Sequence, residues 1–93
     1  MGTVVDPVAM AEEQRRADAL RLIVDVASAL IRQGRLSRPE GEALVATTRR
    51  RALELFPEKG SVFDLVLAPR FARLLDEFTL VPRAGRVLPF PRR

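Results

Sequence analysis

The sequence predicts an all-α fold, a small three-helix bundle made of a helical hairpin and a third helix broken by proline. In three segments of the 93-residue chain, apolar residues recur every three or four positions, as they do on one face of a helix. Proline, glycine and capping residues stand at the borders of these segments. No segment shows the convincing alternation of a strand. We therefore expect a loose lead over residues 1–6, a helical domain over 7–80 and an extended basic tail over 81–93.

The first helix is predicted to run from residue 7 to about residue 33. Asp6 is a good N-cap, Pro7 suits the first helical position, and Gly34 is the natural stop. Arg21 and Asp25 are spaced for an ion pair on its polar side. Its apolar stripe comprises Met10, Ala17, Leu20, Ile23, Val24, Ala27, Leu30 and Ile31.

This helix would be about 40 Å long, which is long for so small a domain. The simpler interpretation is that its apolar stripe packs into the core of a single chain. The alternative is that the helix extends beyond its neighbours and buries the remainder of the stripe against a second copy of the chain.

Two further helical segments follow. Ser37 and Glu40 form a capping-box pattern ahead of a helix over residues 38–56, which Pro57 ends. Ser61 is a weaker N-cap signal for a short helix over 62–68, which Pro69 breaks, kinks or restarts. The second apolar face comprises Leu44, Val45, Thr48, Ala52, Leu55 and Phe56. The last helix, ending near residue 79, has the stripe Phe71, Leu74, Leu75 and Phe78, with Arg73, Asp76 and Glu77 as exposed ion-pair candidates.

Charge is distributed unevenly along the chain. Residues 1–82 are neutral, and the net charge of +4 resides in the last eleven residues. The molecule is thus predicted to be a neutral domain with a basic tail. In that tail Leu88 and Phe90 alternate with proline and precede Arg92 and Arg93, a pattern typical of a short docking motif. An unremarkable basic terminus is the competing interpretation.

Arg49, Arg50 and Arg51 form the densest basic cluster of the domain. Three successive residues on a helix point about 100° apart, so they do not form one patch. A solvated helix face, with Arg50 and Arg51 reaching Glu54, is favoured over phosphate contacts. Together with Arg83 and Arg86 of the tail, they are the candidates for weak nucleic-acid binding.

Several chemistries are excluded by composition. The chain has no Cys, His, Trp or Tyr, which removes disulfides, thiol catalysis, His acid–base catalysis and Cys/His zinc sites. Its glycines are scattered singly, so no phosphate-binding loop is present. We expect no enzyme activity, no metal and no cofactor. The absence of a targeting segment and of a membrane span predicts a cytoplasmic protein.

The function predicted from the sequence is that of a small, non-catalytic interaction protein, an adaptor or accessory subunit. It would dock partners, or a second copy, through a helix face and the tail residues Leu88, Phe90, Arg92 and Arg93. The alternative is a nucleic-acid-associated regulator. Residues 34–37 resemble the turn of a helix-turn-helix, but Glu40 and Glu42 would repel phosphate where such a motif reads DNA.

Overall fold

A computed structural model describes residues 6–80 and confirms an all-α bundle of three packed helical segments. Helix α1 spans Pro7–Arg32 and α2 spans Arg38–Leu55. The third segment is a 3-10 turn Pro57–Lys59, one α-helical turn α3 (Gly60–Val62), a π-helical segment Phe63–Leu67 and α4 (Ala68–Phe78). The tail predicted over 81–93 lies outside the described residues.

The ends of the first two helices are set by the residues that the sequence indicated. The Asp6 carboxylate accepts a hydrogen bond from Val8 N–H at 3.0 Å, and Gly34 stops α1 with a φ of +75°. Both bonds of the Ser37–Glu40 capping box are formed, at 3.2 and 2.9 Å. Helix α2 ends at Leu55, next to the predicted boundary, because Pro57 follows.

The third segment differs from the sequence prediction around Pro69. A continuous α-helix would need Pro69 to donate to the Leu65 carbonyl, but proline has no N–H and its ring clashes there. The chain widens into a π-helical turn instead, in which Ala68 N–H donates to the Phe63 carbonyl. Ser61 is wrong as an N-cap, since no side chain caps α3.

The three segments run up, down and up. Arg16 of α1 lies over Phe56 at the end of α2, 5.6 Å from guanidinium carbon to ring centroid. The 33–37 connection joins the end of α1 to the start of α2, at the other end of the bundle from Arg16 and Phe56. Helix α4 returns in the direction of α1, and Leu80 N–H donates to the Leu36 carbonyl at 2.8 Å. This contact is part of an isolated bridge between Ser37 and Leu80.

The core is formed mainly by the predicted stripes, together with Phe63, which no predicted stripe contained, and without Leu30, which was predicted in the first stripe but is exposed. Phe63 and Phe71 stack with ring centroids 6.2 Å apart, and Thr48, the buried polar residue, donates to the Leu44 carbonyl at 2.8 Å. The buried apolar residues are Ala27, Ile31, Ala52, Phe63, Phe71 and Leu75. Leu20, Ile23, Val24, Leu44, Val45, Leu74 and Phe78 pack around them. Met10, predicted for this stripe, is exposed because α1 extends beyond its neighbours there.

The ion pairs predicted within α1 and within α4 do not form, and Asp76 of α4 pairs with a residue of α2 instead. Among the ion pairs of residues 6–80, Arg21–Asp25 does not occur, nor does a pair of Arg73 with Asp76 or Glu77. Asp76 instead accepts from Arg38 Nη1 at 2.7 Å, and Arg38 Nε donates to Glu42 at 3.1 Å. The hydrogen bond to Asp76, and then that to Glu42, raises the pKa of Arg38. This bond ties α2 to α4.

Candidate docking surface

The arginine triplet of α2 does not form a single basic patch. Arg49 donates to both carboxylate oxygens of Asp64, Nε at 2.9 Å and Nη2 at 3.1 Å, and so ties α2 to the π-helical segment. The hydrogen bond from Arg49 lowers the pKa of Asp64, and the same contact raises the pKa of Arg49. Arg49 is therefore engaged within the fold.

The other two arginines of the triplet are exposed and make weak contacts. Arg50 donates to Thr47 Oγ1 at 3.3 Å, and Arg51 lies 3.9 Å from Glu54. The predicted reach of Arg50 to Glu54 is thus wrong. The remaining predicted site residues, Arg83, Arg86, Leu88, Phe90, Arg92 and Arg93, lie outside the described residues 6–80.

Helix α1 has a second apolar face, which no part of the described chain covers. Leu22 is 62% exposed, Val26 48% and Leu30 39%. At 3.6 residues per turn these three side chains and Ala19 lie within about 80° of one another. Leu20 and Ile31 lie on a different side of the helix and point into the core. We call Ala19, Leu22, Val26 and Leu30 the back face of α1.

An apolar groove runs along one side of the back face. It lies between α1 and α2, has a volume of about 270 Å³, and is formed by Leu22 and Val26 on one side and Leu44 and Thr47 on the other. A helix packed on the back face would contact this groove as well. Helix packing places side chains into grooves of this kind.

The N-terminal part of α1 is an overhang. Every residue over 7–16 is exposed, because α2 ends beside Arg16. The overhang carries Val8, at 67% exposure, on the same side of the helix as Leu22. Glu12 and Arg15 lie on that side between Val8 and Ala19, so Val8 is separated from the back face.

A second exposed apolar patch lies on the third segment. Val62, Leu65 and Val66 are all about half exposed or more. The π-helical turn contributes to this arrangement, because it shifts the helical register so that Phe63 points inward and Leu65 outward. Beside the patch, a shallow apolar groove is lined by Leu20, Leu53, Phe56 and Val62.

The groove between α1 and α4 is of a different, charged kind. Arg32, Arg70 and Arg73 line it together with Asp25 and Glu77, and its volume is about 490 Å³. Within residues 6–80 none of the three arginines takes part in an ion pair. Because both positive and negative side chains line it, this groove can bind anions only weakly.

Residues 6–80 contain neither a metal-binding cluster nor a membrane-spanning helix. No group of three or more acidic, His or Cys side chains there could hold a metal ion. None of the described helices combines the length and apolar character needed to cross a bilayer.

The back face of α1 was largely missed by the sequence interpretation, which left Leu22 and Val26 unassigned and placed Leu30 in the stripe that includes the core residues. The signal was present in the i, i+4 spacing of Leu22, Val26 and Leu30. Comparisons with known proteins add no relative to this picture: no protein-family model, curated protein or solved structure matches the chain.

Proposed function

We propose that the chain is a small, non-catalytic, cytoplasmic interaction protein, an adaptor or accessory subunit, and that it docks through the back face of α1. The observation that carries the proposal is the apolar character of α1 on two sides. One side forms the core, and the other exposes Leu22, Val26 and Leu30 in a row. A surface helix normally has one apolar stripe, which faces the core, so a second apolar side indicates a further contact.

The arrangement of these residues distinguishes them from ordinary surface leucines. Single exposed apolar side chains are common and need no explanation. Here they follow one another along a helix and adjoin the apolar groove of Leu44 and Thr47. Contiguous apolar surface of this kind typically marks an interaction site.

The basic tail is proposed as a second docking element, with Leu88 and Phe90 as anchors and Arg92 and Arg93 as charged flanks. The described chain ends at Leu80, which is held beside Leu36. Any partner that binds the tail would thus be tethered near the 33–37 connection.

The test of the proposed function is site-specific photo-crosslinking in cells. A photoreactive phenylalanine analogue replaces Leu22 in the full chain, and a matched variant carries it in place of Arg21, an exposed residue about 100° away on the charged side of α1. A discrete adduct at position 22 that Val26→Asp removes would support docking through the back face. No adduct above the level of the Arg21 control would overturn the proposal.

Nucleic-acid binding is a second candidate, favoured by the three arginines of the α1–α4 groove together with exposed Arg50 and Arg51. Each phosphate contact adds about 0.9 to the slope of log affinity against log salt. Binding by these arginines and the tail should therefore fall steeply between 50 and 200 mM salt. Titration of the full chain, and of a version ending at Val81, separates the two parts. Affinity that persists at high salt would contradict the nucleic-acid candidate.

A further inference from the structure

We infer that the partner on the back face of α1 is a second copy of this chain, with the two α1 helices antiparallel and related by a two-fold axis near Leu22. The inference rests on the proposed function, because it names the occupant of the same surface. The sizes of the side chains and the charges along α1 support it, and the area of the contact predicts how strong the association is.

Side-chain sizes along the back face are complementary under this symmetry. An antiparallel pair aligned at Leu22 places Leu22 against its own symmetry mate. With the axis passing between positions 22 and 23, it also places Val26 of one copy opposite Ala19 of the other, because each position then lies three and a half residues from the axis. A large side chain then meets a small one at each flanking contact, which is how well-packed helix pairs interdigitate.

The next contacts outward are also compatible. Leu30 lies opposite Arg15 of the partner copy, whose aliphatic stem can cover it while the guanidinium remains in water. Arg16, the neighbouring cation, already lies over Phe56 within its own chain. Arg15 and Arg16 therefore each have an apolar side chain to pack against in the dimer.

Charges at the ends of α1 favour the antiparallel direction. Glu12 and Glu13 lie on the overhang, whereas Arg32 and Arg35 lie at the opposite end of the helix. Within residues 6–80 none of these four takes part in an ion pair. Residues 6–19 as a whole carry a net charge of −2 and residues 20–35 a net charge of +2, so alignment at Leu22 places the acidic half of one copy beside the basic half of the other. A parallel pair would instead align like charges, and its helix dipoles would repel.

The area of the stripe predicts a weak dimer. From Val8 to Leu30 the contact line extends about 33 Å, with Glu12 and Arg15 interrupting its apolar side chains, and a helix is about 10 Å wide, which gives a projected contact of at most ~330 Å². Standard stable interfaces bury about 800 Å² of accessible surface on each partner. The apolar groove beside α2 adds to the contact but leaves it at the small end. We expect a dissociation constant of ~10 µM or weaker.

Sedimentation equilibrium of the full chain tests the association itself. The mass should rise from 10.4 kDa toward twice that value as the concentration increases from 1 to 500 µM. Val26→Asp should weaken the association at least tenfold. Leu65→Asp, a matched change at a more exposed apolar position outside the back face, should leave it unchanged. Thermal melting of both variants checks that the fold is retained. A wild-type chain that stays monomeric at 500 µM would overturn the inference.

Disulfide trapping tests the register, since the natural chain has no Cys. Leu22→Cys should oxidise to a covalent dimer at least ten times faster than Leu65→Cys. Ala19→Cys mixed with Val26→Cys should give mostly the mixed dimer, because these positions face one another only in the antiparallel register. Faster formation of the two like dimers, or equal rates at positions 22 and 65, would overturn the arrangement.

The photo-crosslinked adduct separates failure of this inference from failure of the proposed function. An adduct at position 22 with twice the mass of the chain supports the second copy. An adduct of any other mass overturns the second copy but retains the docking function. No adduct overturns both.

Discussion

The two ends of the bundle are built differently. At the closed end, the 33–37 connection, the start of α2 and the end of α4 meet, and the capping box, the Arg38–Asp76 bond and the Leu80–Leu36 bond join them. At the open end, α1 overhangs, α2 stops at Leu55, and the third segment exposes Val62, Leu65 and Val66. The hydrogen bonds of the closed end thus join all three segments, whereas the open end has an overhanging helix and an exposed apolar patch.

This difference shows how a chain of 93 residues can combine a fixed fold with surface for partners. A small domain buries only about 60–65% of its unfolded surface, so some apolar side chains stay outside. Here the closed end anchors the helices firmly enough for α1 to project beyond them. Equivalent substitutions at the two ends should therefore have unequal effects.

The largest effect is expected at Ile31, which is fully buried near the closed end. Ile31→Ala should lower the free energy of unfolding by about 3 kcal/mol, through lost burial and the cavity left behind. Leu30→Ala, one residue away on the back face, should cost less than about 1 kcal/mol in the monomer. Urea unfolding followed by circular dichroism measures both. Equal losses would contradict the assignment of the two faces of α1.

The two helical glycines should respond with opposite signs. A Cβ at Gly41 would collide with Leu75 Cδ2 and lie 3.1 Å from Thr79 Cγ2, where α2 and α4 cross. Gly41→Ala should therefore destabilise by about 1–2 kcal/mol despite the better helix propensity of alanine.

Gly60, at the open end, provides the matched change. It has a helical φ of −59°, and a Cβ there would lie 3.4 Å from Arg49 Nη2 and 3.7 Å from Leu53 Cδ2, both at ordinary contact distances. Gly60→Ala should stabilise by up to about 1 kcal/mol. Thermal melting gives the sign of each change, and a loss of stability at Gly60 would show that the open end is packed more tightly than described.

A third pair compares serines ahead of helices. Ser37→Ala removes the cap of α2 and should cost about 1 kcal/mol. Ser61→Ala removes no capping bond and should remain within about 0.5 kcal/mol of the natural chain. Amide hydrogen exchange over the first turn of each helix locates the effect. Faster exchange after the change at Ser61 would restore the sequence-based assignment of that residue as a cap.

The smallest effect concerns the Arg49–Asp64 bond of the open end and depends on pH. Because Arg49 lowers the pKa of folded Asp64, the native state binds fewer protons than the unfolded state. The stabilisation is therefore present above about pH 4 and is lost as the pH falls through the folded-state pKa. Between pH 5 and pH 3 the Tm of the natural chain should fall by about 2 °C more than that of Asp64→Asn. Parallel slopes would exclude a stabilising role for this exposed pair.

Local signals allowed most of the helical architecture to be predicted. Asp6, Gly34, the Ser37–Glu40 box and Pro57 act within a few residues of their own positions, so the sequence alone identifies them. The Arg38–Asp76 and Arg49–Asp64 bonds join residues 38 and 15 positions apart and depend on how the helices pack. The π-helical turn was not predicted, because proline signals a disturbance without specifying its form. The back face was obscured by the charged residues interspersed with it.

The bond from Leu80 to Leu36 fixes the position of the last described residue. In the proposed dimer, this position lies beyond the Arg32 end of α1, which is about 10 residues, or ~15 Å, along the helix from the two-fold axis. The two Leu80 positions are therefore at least ~30 Å apart along the helix pair, at opposite ends of the assembly. A ligand that presents two binding sites at that spacing could engage both C-terminal segments at once and gain avidity. A ligand with closer sites could engage only one, which makes the dimer a molecular ruler for bivalent partners.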